Sequence, residues 1–130
     1  MAFRFELVSP ERRLASREAE AVGIPGVEGD LTAMPAHAPF LTVLRPGLVT
    51  VTAGGDSTAY FVSGGFAEIT PEAVTVLAEE AVERSEVTRE MLDRLIAAAE
   101  KAADSAGEDT RIAAQQRLSD FRTLAAQLGG

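Results

Sequence analysis

The stretch "GLVTVTAGGDSTAYFVSGGFAEITPEAVTVLAE", residues 47 to 79, decides the fold class. Val49 and Val51 alternate with Thr50 and Thr52, the period of two that puts the apolar set on one face of a half-buried strand. The run stops at Gly54-Gly55-Asp56 and "TAYFVSGG" follows at once, so the two segments form a hairpin around a glycine turn. "GFAEIT" and "AVTVLAE" repeat the scheme around Pro71-Glu72, where proline presets φ for a turn. Upstream, "FRFELVS" sets Phe3, Phe5 and Leu7 against Arg4 and Glu6. Short strands at close spacing, with Gly and Pro between them and no helical period, predict an antiparallel β-sandwich or flattened barrel.

Near residue 80 the period changes. From Thr88 the pattern is helical: Met91 or Leu92, Leu95, Ala98 or Ala99 and Ala102 recur at steps of three and four. Thr88 reads as an N-cap, with Glu90 in the first turn. "DSAGED" interrupts the pattern, and a second helix from about Thr110 carries Ile112, Leu118, Phe121, Ala125 and Leu128. The expected organisation is a sandwich over residues 1–84 and an antiparallel helical hairpin over 85–130. The facing surfaces read as alanine-rich: Ala97, Ala98, Ala99, Ala102 and Ala103 on one helix, Ala113, Ala114, Ala125 and Ala126 on the other. Small residues bury little area, so the hairpin is expected to be marginal alone and able to leave the sandwich.

Composition narrows the function. A chain of 130 residues with 46% hydrophobic residues, no Trp and one Tyr supports a modest core rather than an elaborate ligand cavity. A net charge of −8 argues against nucleic-acid binding, which needs clustered Lys and Arg. The absence of cysteine excludes thiol catalysis, thiolate metal sites and disulfides, and fits a reducing compartment. The apolar runs fall far short of the roughly 20 residues that cross a bilayer. "MAFRFELVSPERR" lacks the apolar core of a secretion signal, so a soluble cytoplasmic protein is the expectation.

No group of residues reads as a catalytic or metal site. His37 is the single histidine, boxed between Pro35 and Pro39, and neither a second His nor a Cys accompanies it as a ligand. "GGD" and "SGG" are not the nucleophile elbow G-x-S-x-G, so no triad partner is offered. "GVEGDL" has glycines but no Lys or Ser/Thr for phosphate, and Glu28 and Asp30 would repel it. It reads as a tight acidic turn. Helix charges such as Glu90 with Arg94 read as a solvated face.

Two blocks in order carry a resemblance. "GVEGDLTAMPAHAPFLTVLRPG" and "YFVSGGFAEITPEAVTVLAEEA", followed by the helical hairpin, resemble the epsilon subunit family of bacterial F-type ATP synthases over essentially the whole chain. The resemblance implies a sandwich of about ten strands followed by two helices. It implies a non-catalytic subunit of the central stalk, without a cofactor, that couples ring rotation to ATP synthesis. It implies docking on the gamma subunit and on the ring of c subunits, at the cytoplasmic face of the inner membrane and without insertion into it. Glu28, Gly29, Asp30 and Leu31 fall where the family touches the c ring, and Asp30 is expected to pair with basic loop residues there. His37, Ala38, Pro39 and Phe40 fall where the family faces gamma. His37 thus reads as an interface residue.

The chain departs from the family at the start of the first helix. The nucleotide motif Ile/Leu-Asp-x-x-Arg-Ala is degenerate here: Val87 fits, but Thr88, Met91 and Leu92 stand at the Asp, Arg and Ala positions. ATP sensing by the hairpin is therefore expected to be weak or absent. An alternative is a coupling subunit whose hairpin also reaches the alpha/beta catalytic head and inhibits hydrolysis, using Arg111, Arg117 and Arg122. A reading from another class, a stand-alone ligand-binding sandwich, requires a pocket with convergent polar groups.

Overall fold

The period-two segments become ten strands: β1 (Phe3–Val8), β2 (Arg13–Ala19), β3 (Ala21–Gly26), β4 (Gly29–Ala33), β5 (Phe40–Leu44), β6 (Gly47–Ala53), β7 (Asp56–Val62), β8 (Gly65–Ile69), β9 (Ala73–Ala78) and β10 (Ala81–Glu83). A 3-10 turn, Arg84–Glu86, precedes α1 (Arg89–Ser105) and α2 (Arg111–Gln127). The computed structural model describes residues 2–36 and 38–128. The chain divides into two compact units, Met1–Ser85 and Glu86–Gly130.

In the first unit the hydrogen-bonded order is β10-β7-β6-β3-β5-β8-β9-β1-β2, with β4 paired to β3. One bridge, Gly26 opposite Leu44, joins β3 to β5 and divides the path into two layers, β10-β7-β6-β3-β4 and β5-β8-β9-β1-β2. A Cβ at Gly26 would lie 2.7 Å from the Gly29 carbonyl oxygen and 3.2 Å from the Thr42 hydroxyl, so only glycine fits this corner. β1 and β9 pair in parallel, a departure from the all-antiparallel expectation. No tight turn joins them. The chain from β2 to β8 lies between them, and parallel pairing requires a long connection of this kind.

The alternation then fills one shared core. Phe3, Phe5 and Leu7 of β1 meet Val49 and Val51 of β6, Tyr60 and Val62 of β7, and Val74 and Val76 of β9 in a single buried cluster. Phe5 and Tyr60 come from opposite layers and stack with centroids 6.1 Å apart, a pairing worth about 0.5–1.5 kcal/mol beyond burial. Gly65 starts β8 hard against β9. A Cβ there would sit 2.0 Å from the Leu77 carbonyl oxygen, at a backbone φ of +132°.

In the helical unit Thr88 is the N-cap of α1, its hydroxyl accepting from the Met91 N–H at 3.1 Å, as the sequence predicts. The buried side chains are Leu92, Leu95 and Ala99 on α1 and Phe121 and Leu124 on α2. This corrects the alanine-lined expectation: Ala97, Ala98, Ala102, Ala113 and Ala126 are exposed. Ile112, expected on the buried face of the second helix, is 82% exposed. Arg122 of α2 bridges to Glu100 of α1 at 2.8 Å, and the Arg117 guanidinium lies 4.9 Å above the Phe121 ring.

Candidate docking surfaces of the sandwich

The acidic block folds as the β3–β4 hairpin. Gly26 pairs with Gly29, leaving Val27 and Glu28 as a two-residue turn. Val27, Glu28, Gly29 and Asp30 are exposed, while Leu31 packs partly against the core and anchors the second strand. The hairpin is tied to β5 and to the residue that follows it. The Arg45 N–H donates to the Pro25 carbonyl at 3.0 Å, and the Val27 N–H to the Val43 carbonyl at 2.9 Å. The Arg45 side chain donates from Nε to the Gly26 carbonyl at 3.2 Å and from Nη2 to an Asp30 carboxylate oxygen. Asp30 is thus ion-paired within the chain.

The proline-boxed segment follows. Pro35 and Ala36 make a turn, with Ala36 at φ +62°. His37 lies outside the described residues. Ala38, Pro39 and Phe40 are exposed, and Phe40 opens β5 opposite Ile69.

A feature absent from the sequence reading lies beside them. Val43 of β5 faces Phe66 of β8, Phe66 faces Leu77 of β9, and Leu77 faces Val8 of β1. The neighbours of Phe66 and Leu77 in each strand, Ala67, Val76 and Ala78, are buried, so the row points away from the core. Val43 is 47% exposed and Phe66 and Leu77 are each 52% exposed, with Leu41 at 67% on the same face of β5. An open depression of about 360 Å³, lined by Val8, Pro10, Phe66 and Leu77 among others, forms one end of the row. Contiguous apolar surface of this kind on a sheet face is a candidate docking surface.

Comparisons with known proteins give the family of this fold. Residues 2–84 match the family described as "ATP synthase, Delta/Epsilon chain, beta-sandwich domain". The ATP synthase epsilon chain of Rhodobacter capsulatus is 49% identical over 125 residues, covering 96% of this chain and 95% of its own. The chain belongs to the ATP synthase epsilon family. The epsilon chain of Ruegeria sp. (strain TM1040) is 57% identical over 106 residues, covering 82% of this chain and 77% of its own. Among solved structures, a chain of the Euglena gracilis mitochondrial ATP synthase, OSCP/F1/c-ring, in rotational state 1, aligns with a TM-score of 0.74 at 28% identity, over 98% of this chain and 81% of that one. A chain of the Tetrahymena thermophila mitochondrial ATP synthase central stalk/c-ring structure has the same fold at 17% identity, with a TM-score of 0.72 over 98% of this chain and 97% of that one.

The start of α1 carries local structural roles. Thr88 caps the helix and Leu92 is 1% exposed, so two of the four residues that the sequence resemblance sets at nucleotide-motif positions serve local structure. Arg89, nearby, pairs with Asp93 at 3.4 Å on the exposed face of the helix. Among the described residues no group of three His, Cys, Asp or Glu side chains is placed to hold a metal ion. Among the same residues no helix is long and apolar enough to cross a membrane.

Proposed function

We propose that this chain is the non-catalytic coupling subunit of the central stalk of a proton-translocating F-type ATP synthase, at the cytoplasmic face of the bacterial inner membrane. The observation that carries the reading is the outward apolar row Val43–Phe66–Leu77, adjoined by Leu41, on a sandwich of this family. Its occupant in this reading is the gamma subunit, which buries the row together with Ala38, Pro39 and Phe40. The acidic turn, with Glu28, Gly29, Asp30 and Leu31, meets the basic polar loops of the c ring. The two contacts are held by one rigid double-layered sheet, as transmission of torque requires.

The helical hairpin is a weak regulator in this reading. The Arg position of the nucleotide motif is Met91, which has no charge for a phosphate. Inhibition of hydrolysis by the catalytic head would draw on basic side chains of α2. Arg122 is already bridged to Glu100 and Arg117 lies over Phe121.

The test is complex formation. The purified full chain, mixed with gamma, is expected to form a stoichiometric complex and to show no turnover alone. Failure to bind gamma under conditions where a relative's epsilon chain binds would contradict the reading.

A further inference from the structure

We propose that Arg45 is the positioning residue of the acidic hairpin: it holds the turn from behind, takes up the charge of Asp30, and leaves Glu28 as the acid that recognises a basic partner surface. The inference rests on the reading of this hairpin as a docking element.

The hairpin needs such a support. β4 has five residues and pairs with β3 alone, lying off the main strand path. β3 pairs with β6 only through Ala21, Val22 and Gly23, so beyond Gly23 the hairpin is a two-stranded ribbon with an exposed tip, marginal without the contacts to Val43, Leu44 and Arg45. Arg45 touches both of its strands, at Pro25 and Gly26 on β3 and at Asp30 on β4. Pro46 follows and restricts the backbone of residue 45 to an extended form. The side chain therefore leaves from a fixed point at the corner where the sheet passes from one layer to the other.

Residue type matters here. A guanidinium is a planar fork that donates to a carbonyl and a carboxylate at the same time, whereas an ammonium is one compact charge. The Arg45 and Asp30 side chains are 33% and 72% exposed, and an ion pair in such a setting contributes little to global stability. The effect of Arg45 is thus on the geometry of the turn, with the overall fold left nearly unchanged. Charge follows from the same contacts. Arg45 offsets Asp30, so the uncompensated negative group of the tip is Glu28, exposed on the turn itself.

Three variants and two readouts test this. Amide hydrogen exchange on the full chain, at residues 26–31, reads the hairpin. ATP-driven proton pumping per ATP hydrolysed, by ATP synthase reconstituted with each variant, reads docking. Arg45→Gln is expected to speed exchange at the hairpin about tenfold, with core amides unchanged, and to lower the pumping ratio. Arg45→Lys, which keeps the charge, is expected to recover only part of both. Glu28→Gln is expected to lower the pumping ratio and leave exchange unchanged. Unchanged exchange in Arg45→Gln would overturn the support role whatever the hairpin docks on. Faster exchange with a normal pumping ratio, while Glu28→Gln uncouples, would overturn the positioning role. A normal ratio in both Arg45→Gln and Glu28→Gln would instead overturn the docking reading on which the inference rests.

Discussion

Phe66 and Leu77 stand opposite each other on adjacent antiparallel strands, both on the face turned from the core and each 52% exposed. Their immediate neighbours in the chain, Ala67 and Ala78, lie on the buried face. Two large apolar side chains on the solvent face of a sheet, continued by Val43 on one side and Val8 on the other, form a surface that a partner can bury.

Phe66→Glu places a charge at the centre of that row. Because the side chain is half exposed, the fold is expected to lose no more than about 1 kcal/mol. Gamma binding is expected to weaken by about 2 kcal/mol or more, roughly 30-fold in Kd, as for a central interface anchor. Calorimetric titration with urea denaturation of the same variant separates the two effects.

Gly65→Ala makes the opposite kind of change. The new methyl would fall 2.0 Å from the Leu77 carbonyl oxygen at a φ of +132°, so β8 and β9 must move apart. A loss of about 3 kcal/mol or more is expected in urea unfolding. Since Phe66 and Leu77 move with those strands, gamma binding should fall as well.

Thr88→Ala removes the hydroxyl that accepts from the Met91 N–H. The expected loss is about 1 kcal/mol of helix stability, visible as faster amide exchange in the first turn of α1. Gamma binding through the sandwich should be unaffected.

Truncation after Ser85 removes the helical unit at the division between the two compact parts of the chain. ATP hydrolysis by the reconstituted head is expected to stay at the full-length rate, in keeping with a weakly regulating hairpin. A severalfold rise would make the helices an inhibitory arm.

Strands such as β1 and β6 were legible because they bury alternate residues, and Phe3, Phe5 and Leu7 or Val49 and Val51 show that period without their neighbours. The apolar row was not. "FLTVL" is apolar in both phases, and a run of that kind leaves open which face meets the core until the register against Phe66 is known. The alanines misled for a related reason. Alanine is the best helix former on any face, so its abundance reports helix and not seam, and Leu92, Leu95, Phe121 and Leu124 took the buried positions. Arg45 was invisible because its partners, Gly26 and Asp30, meet it only where the sheet turns its corner.

The most direct test of the coupling role uses ATP synthase stripped of its own epsilon subunit. The full chain is added back, and ATP-driven proton pumping is measured against ATP hydrolysis, with Phe66→Glu in parallel. The account predicts that the full chain restores tight coupling and that Phe66→Glu does so poorly at equal concentration. Restoration by both to the same degree would remove the apolar row from the mechanism, and restoration by neither would contradict the coupling role itself.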